Sequence, residues 1–333
     1  MVVVRLTVPG ASSEPPKPSP TLLLEIQAQV CVLYSNTSVI GISQMSSYQR
    51  DAGCDSPITK VVFSKTYKTA STKISSILAR FGFSHNLSFA LPYDHNPGYF
   101  SRTVRFNSEM EKHLLPPLPG SRYSMLVSHV PFNKTAMNKV IQNATYITIL
   151  RHPVAAYESG FAFFQIPLVL HMNYTANEDP FEKFLSNTDL YISRISDSYY
   201  KTLLRNRQMF DIGLDLKYYG NESHVDHVIQ QATSDFDLVM IAEYFDESLI
   251  LLKKLLCWKF EDILYVQQNT RSDNLRSGIN DWKRKQILEI NSADFKLYQH
   301  FKKTFWRRVL AYGDSFYEEI SRYVTESAFR MFG

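Results

Sequence analysis

Cysteine is scarce in this sequence, and no residue pattern in it is typical of a metal site. Three cysteines, Cys31, Cys54 and Cys257, occur among 333 residues, which is too few for a fold built on disulfides. No Cys-x-x-Cys pair is present, and no cluster of carboxylates and histidines has metal-ligand spacing. We therefore expect no metal cofactor and at most one internal disulfide.

The sequence also lacks a large excess of positive or negative residues. The net charge is only +4, which does not indicate a nucleic-acid-binding protein but is compatible with a local basic pocket for an anionic ligand. The apolar fraction of 44% and charged fraction of 20% exclude a disordered chain and provide enough apolar residues for a large α/β core.

The N-terminal region has no long apolar run. The most apolar stretch, LLLEIQAQVCVLY at 22–34, is interrupted by Glu25, Gln27 and Gln29. It therefore predicts neither a signal peptide nor a transmembrane helix. Two interpretations stay open: the protein is cytosolic, or the beginning of this sequence is incomplete or wrongly assigned.

Six N-x-Ser/Thr sequons favour a luminal chain instead, although cytosolic proteins also carry sequons. They begin at Asn36, Asn86, Asn133, Asn143, Asn173 and Asn221.

The pattern along the chain predicts one α/β domain after a leader. Residues 1–57 are rich in Pro, Ser and polar residues, so we expect a poorly structured leader there and a single domain over 58–333. Apolar strands are predicted at 61–63, 125–128, 146–150 and 237–245, with helices between them. This alternation predicts a P-loop-like fold with a central parallel sheet flanked by helices, in which ligands bind at the carboxyl ends of the strands.

The first candidate binding motif, KTYKTAST at 65–72, lies between the first strand and a helix on which Ile74, Ile77, Leu78 and Phe81 recur at helical spacing. Unpaired N–H groups at a helix start bind phosphate, and Lys68 and the hydroxyls of Thr69, Ser71 and Thr72 add charge and donors. No glycine occurs between Phe63 and Phe81, so this is not a Walker A loop. A helix N-cap with solvated lysines is the alternative interpretation.

The second motif, LRHPV at 150–154, places Arg151 at the end of a buried strand, where an unpaired charge is costly. An anion would compensate it, and Ser159, about two turns into the helix that Pro153 begins, would reach the same anion if that helix packs beside the first. The alternative partner of Arg151 is the carboxylate of Glu158.

Taken together with several longer segments, these motifs resemble the galactose-3-O-sulfotransferase family. The matching segments run from about residue 60 to about residue 310. They are VVFSKTYKTASTKISSILARFGFSHNLSFALP, ILRHPVAAYESGFAFF, FDIGLD, DLVMIAEYFDESLILLKKLLCWKFEDILY and DFKLYQHFKKTFWRRV.

The resemblance implies an enzyme that transfers a sulfonate group from 3′-phosphoadenosine-5′-phosphosulfate (PAPS) to the 3-OH of a terminal galactose on a glycolipid or glycoprotein glycan. It implies a Golgi membrane protein with a signal-anchor and no metal or nucleic-acid partner. Residues 68–72 (Lys68, Thr69, Ala70, Ser71, Thr72) match the 5′-phosphosulfate loop, and Arg151 and Ser159 match the 3′-phosphate element. Lys68 would also assist departure of the phosphate, His129 resembles the general base of uronyl 2-O-sulfotransferases, and Arg271 falls in a loop that covers the cofactor.

Three departures from the family pattern stand out. Tyr67 occupies the position of the histidine in the family's usual KTHKTAS, the N-terminal anchor is missing, and the chain ends soon after the last matching segment. We assign His129 as base because an unperturbed tyrosine, with a pKa near 10, would be only about 0.1% ionised near pH 7.

Other functions remain as alternatives. One is a hexuronyl 2-O-sulfotransferase, which the weak net charge disfavours because its substrate is polyanionic. Another is a non-catalytic PAPS- or glycan-binding relative, which Tyr67 motivates. The absent glycines disfavour a P-loop kinase.

For a luminal chain we expect a disulfide between Cys54, just before the first strand, and Cys257, at the end of the helix after the fourth. Two buried free thiols are the alternative.

Overall fold

The structure, a computed structural model, describes residues 54–93, 99–265 and 278–332. Its central five-stranded parallel sheet has the order β2-β3-β1-β4-β5 and is flanked by helices, which confirms the predicted fold class. The strands are β1 Val61–Ser64, β2 Ser88–Phe89, β3 Tyr123–Leu126, β4 Thr145–Leu150 and β5 Leu238–Ile241.

Helices occupy most of the remaining described chain. In chain order they are α1 Ser71–Ser84, α2 Ser108–Lys112, α3 Lys134–Val140, α4 Pro153–Phe163, α5 Ile166–Val169, α6 Pro180–Ser186, α7 Thr188–Ser193, α8 Ser198–Leu203, α9 Arg207–Ile212, α10 Glu222–Asp235, α11 Phe245–Leu256, α12 Phe260–Ile263, α13 Asp281–Ile290, α14 Ser292–Tyr312 and α15 Ser315–Phe332. Short 3-10 helices lie at Leu216–Tyr218 and Ala242–Tyr244. In the described ranges, no helix combines the length and apolar composition that a membrane span requires.

Two predicted strand boundaries were wrong. The third strand of the sheet lies at Tyr123–Leu126 rather than 125–128, because Tyr123 already pairs with Ser88 of β2. The last strand ends at Ile241 rather than Phe245. There the hydroxyl of Ser248 accepts the N–H of Ile241 and donates to its carbonyl, so these backbone groups are no longer available to extend the ladder.

The described chain divides into two compact units. The first comprises the described residues up to Lys65, together with Thr72–Ile147 and Lys253–Tyr265; the second comprises Thr66–Ser71, Thr148–Leu252 and the described residues after 277. The phosphate-motif residues 66–71 and the end of β4 therefore belong to the second unit.

In the first unit, the apolar face of α1 forms the core that its spacing predicts. Ile74, Ile77 and Leu78 are fully buried, and Phe81 stacks on Trp258 with ring centroids 3.7 Å apart. Each such buried side chain contributes about 1.5–3 kcal/mol. On the same helix, a Cβ atom on Gly82 would lie 2.4 Å from the ring of Phe89, so only glycine fits.

In the second unit, a buried carboxylate begins α9. Asp294 of α14 accepts the N–H groups of Gln208 at 3.2 Å and Met209 at 2.7 Å, while its own N–H donates to the side chain of Asn206. Burial raises the pKa of Asp294 to about 7, because desolvation disfavours its charged form more than the two backbone donors stabilise it. The capping bonds fix the start of α9 and therefore the position of Gln208.

The predicted bridge between Cys54 and Cys257 is present in the first unit. The two Cα atoms are 5.5 Å apart, within the range that a disulfide requires. The bridge joins residues separated by 203 positions. Ile58 and Leu256, near the two cysteines, are also joined by a backbone hydrogen bond of 2.8 Å.

Replacing one bridged cysteine, as in Cys257→Ser, should lower the free energy of unfolding by about 2–5 kcal/mol, because the unfolded chain loses a long covalent loop. Urea unfolding without reductant measures this. The control is Cys31→Ser, for which we expect the wild-type midpoint. A Cys257→Ser variant as stable as the wild type would contradict the prediction.

Candidate functional site

The loop between β1 and α1 has an unusual backbone for a segment without glycine. Lys68 has φ of 59° and Ala70 has φ of 63°, and each such residue costs on the order of 1–3 kcal/mol unless its surroundings hold it. Left-handed residues in such loops turn successive N–H groups towards one concave surface, where an anion can bind. The first N–H groups of α1, which an α-helix does not pair within itself, follow this segment in the chain.

The loop is held by its own hydroxyl groups. Thr66 Oγ1 donates to the carbonyl of Ile149 in β4 and lies 2.7 Å from Thr69 Oγ1. Ser71 Oγ donates to the carbonyl of Thr66 at 2.6 Å. Thr69 and Ser71, predicted as ligand donors, are buried in these contacts, whereas Thr72 is exposed on α1. What the loop presents to a ligand is therefore mainly its backbone N–H groups and the amine of Lys68.

Arg151 lies beside this loop in the second unit. Its Nη1 donates to the carbonyl of Lys68 at 3.1 Å. Its backbone N–H donates to Gln208 Oε1 at 2.8 Å and its carbonyl accepts from Gln208 Nε2 at 2.9 Å. The side chain of Gln208 thus fixes the backbone of Arg151, and the two predicted binding motifs, 83 residues apart, are in direct contact.

The helix α4 passes along the same loop. A Cβ atom on Gly160 would lie 3.8 Å from Lys68 Cγ, and the amine of Lys68 lies 3.7 Å from the ring centre of Phe163. Ser159 precedes Gly160 in this helix and is half-buried. The structure therefore places the helix that carries Ser159 next to Lys68.

Tyr67 lies in a packed cluster of the second unit. Its side chain is 6% exposed, and its ring centre lies 4.0 Å from the guanidinium carbon of Arg207. The rings of Phe164 and Tyr199 lie at 6.1 and 6.0 Å. The residue that replaces the expected histidine is therefore a packing residue here.

His129, in the first unit, is held at the end of the segment after β3. Its Nδ1 lies 3.2 Å from the carbonyl of Lys65, and because a carbonyl only accepts, Nδ1 carries the proton. In the neutral imidazole the lone pair then lies on Nε2. The ring stacks on Tyr99 at 5.0 Å and 13°, with the guanidinium of Arg102 over the Tyr99 ring.

Two further predictions concern Arg271 and a metal. Arg271 lies outside the described residues. Within residues 54–93, 99–265 and 278–332, no group of three His, Cys, Asp or Glu side chains is placed to hold a metal ion.

A profile of the galactose-3-O-sulfotransferase family matches residues 19–331. The galactosylceramide sulfotransferases of Mus musculus and Bos taurus are each 34% identical to the chain, over 281 and 275 residues, or 82% and 80% of this chain. Galactose-3-O-sulfotransferase 2 of Sus scrofa is 33% identical over 257 residues, or 76% of this chain.

The chain belongs to the galactose-3-O-sulfotransferase family. This confirms the resemblance drawn from its segments. The chain spans 62% of the length of each of these three relatives.

The sequence analysis did not identify the residues of α9 that contact the loop after β1 and Arg151. FDIGLD was noted only as a matching segment, yet Asp211 within it accepts the N–H of Tyr67. Gln208, just before that segment, fixes Arg151. Arg207, Gln208 and Asp211 are polar and buried within this one short helix. Their burial could not be predicted from the sequence, because so short a helix shows no periodicity.

Lys65, directly after β1, has a buried amine whose pKa affects how the stability of the protein depends on pH. It is 4% exposed, and burial lowers the pKa of its amine from 10.5 to about 7. Between these two values the unfolded chain binds more protons than the folded chain, so this group makes stability rise with pH across that window.

Replacing Lys65 by methionine should remove this contribution. Between about pH 7.5 and 9.5, wild-type unfolding free energy should rise more steeply than that of Lys65→Met, by up to about 1.4 kcal/mol per pH unit. Urea unfolding across this range measures the slopes. Lys60→Met, at an exposed lysine before the same strand, should keep the wild-type slope. Parallel curves for wild type and Lys65→Met would refute the prediction.

Proposed function

We propose that this chain transfers a sulfonate group from PAPS to the 3-OH of a terminal galactose on a glycolipid or glycoprotein glycan. The observation that carries the proposal is the hydrogen bond from Arg151 to the carbonyl of Lys68, which joins the two motifs that match the family's donor-binding elements. Membership of the galactose-3-O-sulfotransferase family supports the reaction class and the galactose acceptor.

On the donor side, the loop and α4 bind the two anionic ends of PAPS. The N–H groups at residues 69–72 and the amine of Lys68 bind the 5′-phosphosulfate, and Arg151 with Ser159 binds the 3′-phosphate. The amine of Lys68 supplies positive charge where the bridging oxygen gains negative charge as its bond to sulfur breaks. Positioning and charge stabilisation do most of the work in such a transfer, by analogy with phosphoryl transfer.

On the acceptor side, His129 is the general base. The galactose hydroxyl oxygen forms the new bond to sulfur, and its proton passes to Nε2 of the imidazole. The hydrogen bond from Nδ1 to Lys65 supports this role because it places the lone pair on Nε2. A base of this kind contributes roughly 10²–10⁴ in rate. Tyr67, packed against Arg207, is assigned no proton transfer.

We further propose that the chain acts in the Golgi lumen, in association with the membrane that carries its glycolipid acceptors. The disulfide supports an oxidising compartment. Four of the sequon asparagines, Asn86, Asn143, Asn173 and Asn221, are exposed, as glycosylation requires.

The direct test is transfer of radiolabelled sulfonate from PAPS to galactosylceramide, lactosylceramide or Galβ1-3/4GlcNAc acceptors. We expect a product sulfated at the galactose 3-OH. Lys68→Ala should abolish transfer without unfolding the protein; turnover within about threefold of the wild type would overturn the role of Lys68. Preferred transfer to a uronic acid acceptor would favour the 2-O-sulfotransferase alternative, and PAPS binding without transfer would favour the non-catalytic one.

The 3′-phosphate assignment predicts a selective loss in Arg151→Ala. Because a charge-assisted hydrogen bond contributes about 1.5–3 kcal/mol, PAPS binding should weaken about tenfold or more. Binding of adenosine-5′-phosphosulfate, which lacks the 3′-phosphate, should weaken less, because this nucleotide loses only the support that Arg151 gives to the loop through the carbonyl of Lys68. Calorimetry measures both affinities. Arg205→Ala, at an arginine paired with Asp189, is the control for lost charge. Equal losses for both nucleotides in Arg151→Ala would count against the assignment.

The assignment of the base is tested by a pair of substitutions. His129→Ala should lower kcat by roughly 10²-fold or more and leave PAPS affinity nearly unchanged, whereas Tyr67→Phe should change kcat little. His113→Ala, at an exposed histidine, controls for histidine loss. A severe loss in Tyr67→Phe together with an active His129→Ala would reverse the assignment.

A further inference from the structure

A buried ion pair lies behind residues 66–71 in the second unit. Arg207 Nη2 and Asp211 Oδ1 are 2.8 Å apart, and their side chains are 7% and 2% exposed. They lie one turn apart on α9. Burying two charges requires their desolvation, and an apolar pair of similar size is often equally stable or more stable. Stability alone therefore does not account for charges at these positions.

Both members of the pair contact Tyr67, the residue before Lys68. Asp211 Oδ2 accepts the backbone N–H of Tyr67 at 3.3 Å, while Oδ1 of the same carboxylate binds Arg207. The guanidinium of Arg207 lies 4.0 Å from the ring centre of Tyr67, a cation–π distance. The pair therefore holds the loop at both the backbone and the side chain of one residue.

The pair is itself anchored. Arg207 Nη1 donates to Thr202 Oγ1 at 2.6 Å, and Asp294 caps the start of α9. A cavity of about 30 Å³ lies between the loop and α9, lined in part by Tyr67, Lys68, Arg207 and Asp294. This is room for about one water molecule. The position of the pair is therefore fixed by groups outside the loop as well as by Tyr67.

We propose that Asp211, oriented by Arg207, is a positioning residue that fixes the backbone of the phosphosulfate loop through Tyr67. The inference rests on the proposed function of that loop. Its left-handed residues, Lys68 and Ala70, are strained, and Asp211 holds the loop one residue before the first of them. Asp211 acts through the loop on the donor, not on the acceptor or on the proton transfer.

Two double variants that differ only in the acceptor at position 211 test this role. Arg207→Met with Asp211→Leu removes both charges and the acceptor for the Tyr67 N–H. Arg207→Met with Asp211→Asn removes both charges but keeps an acceptor oxygen. Neither leaves one member of the Arg207–Asp211 pair as a lone buried charge, so both should fold. We measure affinity for adenosine 3′,5′-bisphosphate, the desulfonated donor, by calorimetry, together with kinetic constants and urea unfolding.

The leucine double variant should bind adenosine 3′,5′-bisphosphate about tenfold more weakly and show a similar rise in the KM for PAPS, with the acceptor KM unchanged. The asparagine double variant should recover affinity to within about threefold of the wild type. As a control, Lys283→Met breaks an ion pair between a buried lysine and the exposed carboxylate of Asp179; it should lower stability and leave the affinity unchanged.

Equal affinities in the two double variants would overturn the proposal, whether both match the wild type or both are weakened. A wild type that neither binds adenosine 3′,5′-bisphosphate nor transfers sulfonate would instead overturn the proposed function, and the positioning role with it. The wild-type measurement therefore separates the two failures.

Discussion

The site depends on the way the end of β4 holds the loop after β1. Thr66 donates to the carbonyl of Ile149, and Arg151 donates to the carbonyl of Lys68. Thr66 and Lys68 are two positions apart in the loop, and the residues that bind them, Ile149 and Arg151, are also two positions apart at the end of β4. These bonds help to hold the left-handed backbone at Lys68 and Ala70 in a loop without glycine, where a β-carbon disfavours that conformation.

The loop after β1 differs in this respect from a Walker A loop, in which glycines adopt left-handed backbone conformations at little cost. Here the hydroxyls of Thr66, Thr69 and Ser71 hold the backbone, and the carboxylate of Asp211 accepts the N–H of Tyr67. The hydroxyls of Thr69 and Ser71, which the sequence motif assigns to the ligand, therefore form hydrogen bonds within the loop instead. The proposed contacts to the donor come instead from backbone N–H groups, Lys68 and Arg151.

Sequence alone predicted the fold class, the α1 core and the positions of Lys68 and Arg151, because these depend on local periodicity and on strand ends. It missed the end of β5, which Ser248 sets through a side-chain bond seven residues away. It also missed the support from α9, since Gln208 and Asp211 contact residues 57 and 144 positions distant. The helices between Ile166 and Ile212 have only four to seven residues, too few for periodicity to reveal a buried face. The binding and catalytic roles of all the predicted site residues, from Lys68 and Arg151 to His129, Ser159 and Arg271, stay predictions.

The most direct measurement of the central claim is amide hydrogen exchange with and without adenosine 3′,5′-bisphosphate. Because the N–H groups of residues 69–72 are proposed to bind the 5′-phosphate, these groups should exchange more slowly when the nucleotide is bound, as should the segment around Arg151. Nucleotide binding that slows exchange elsewhere and leaves residues 69–72 unchanged would contradict the account.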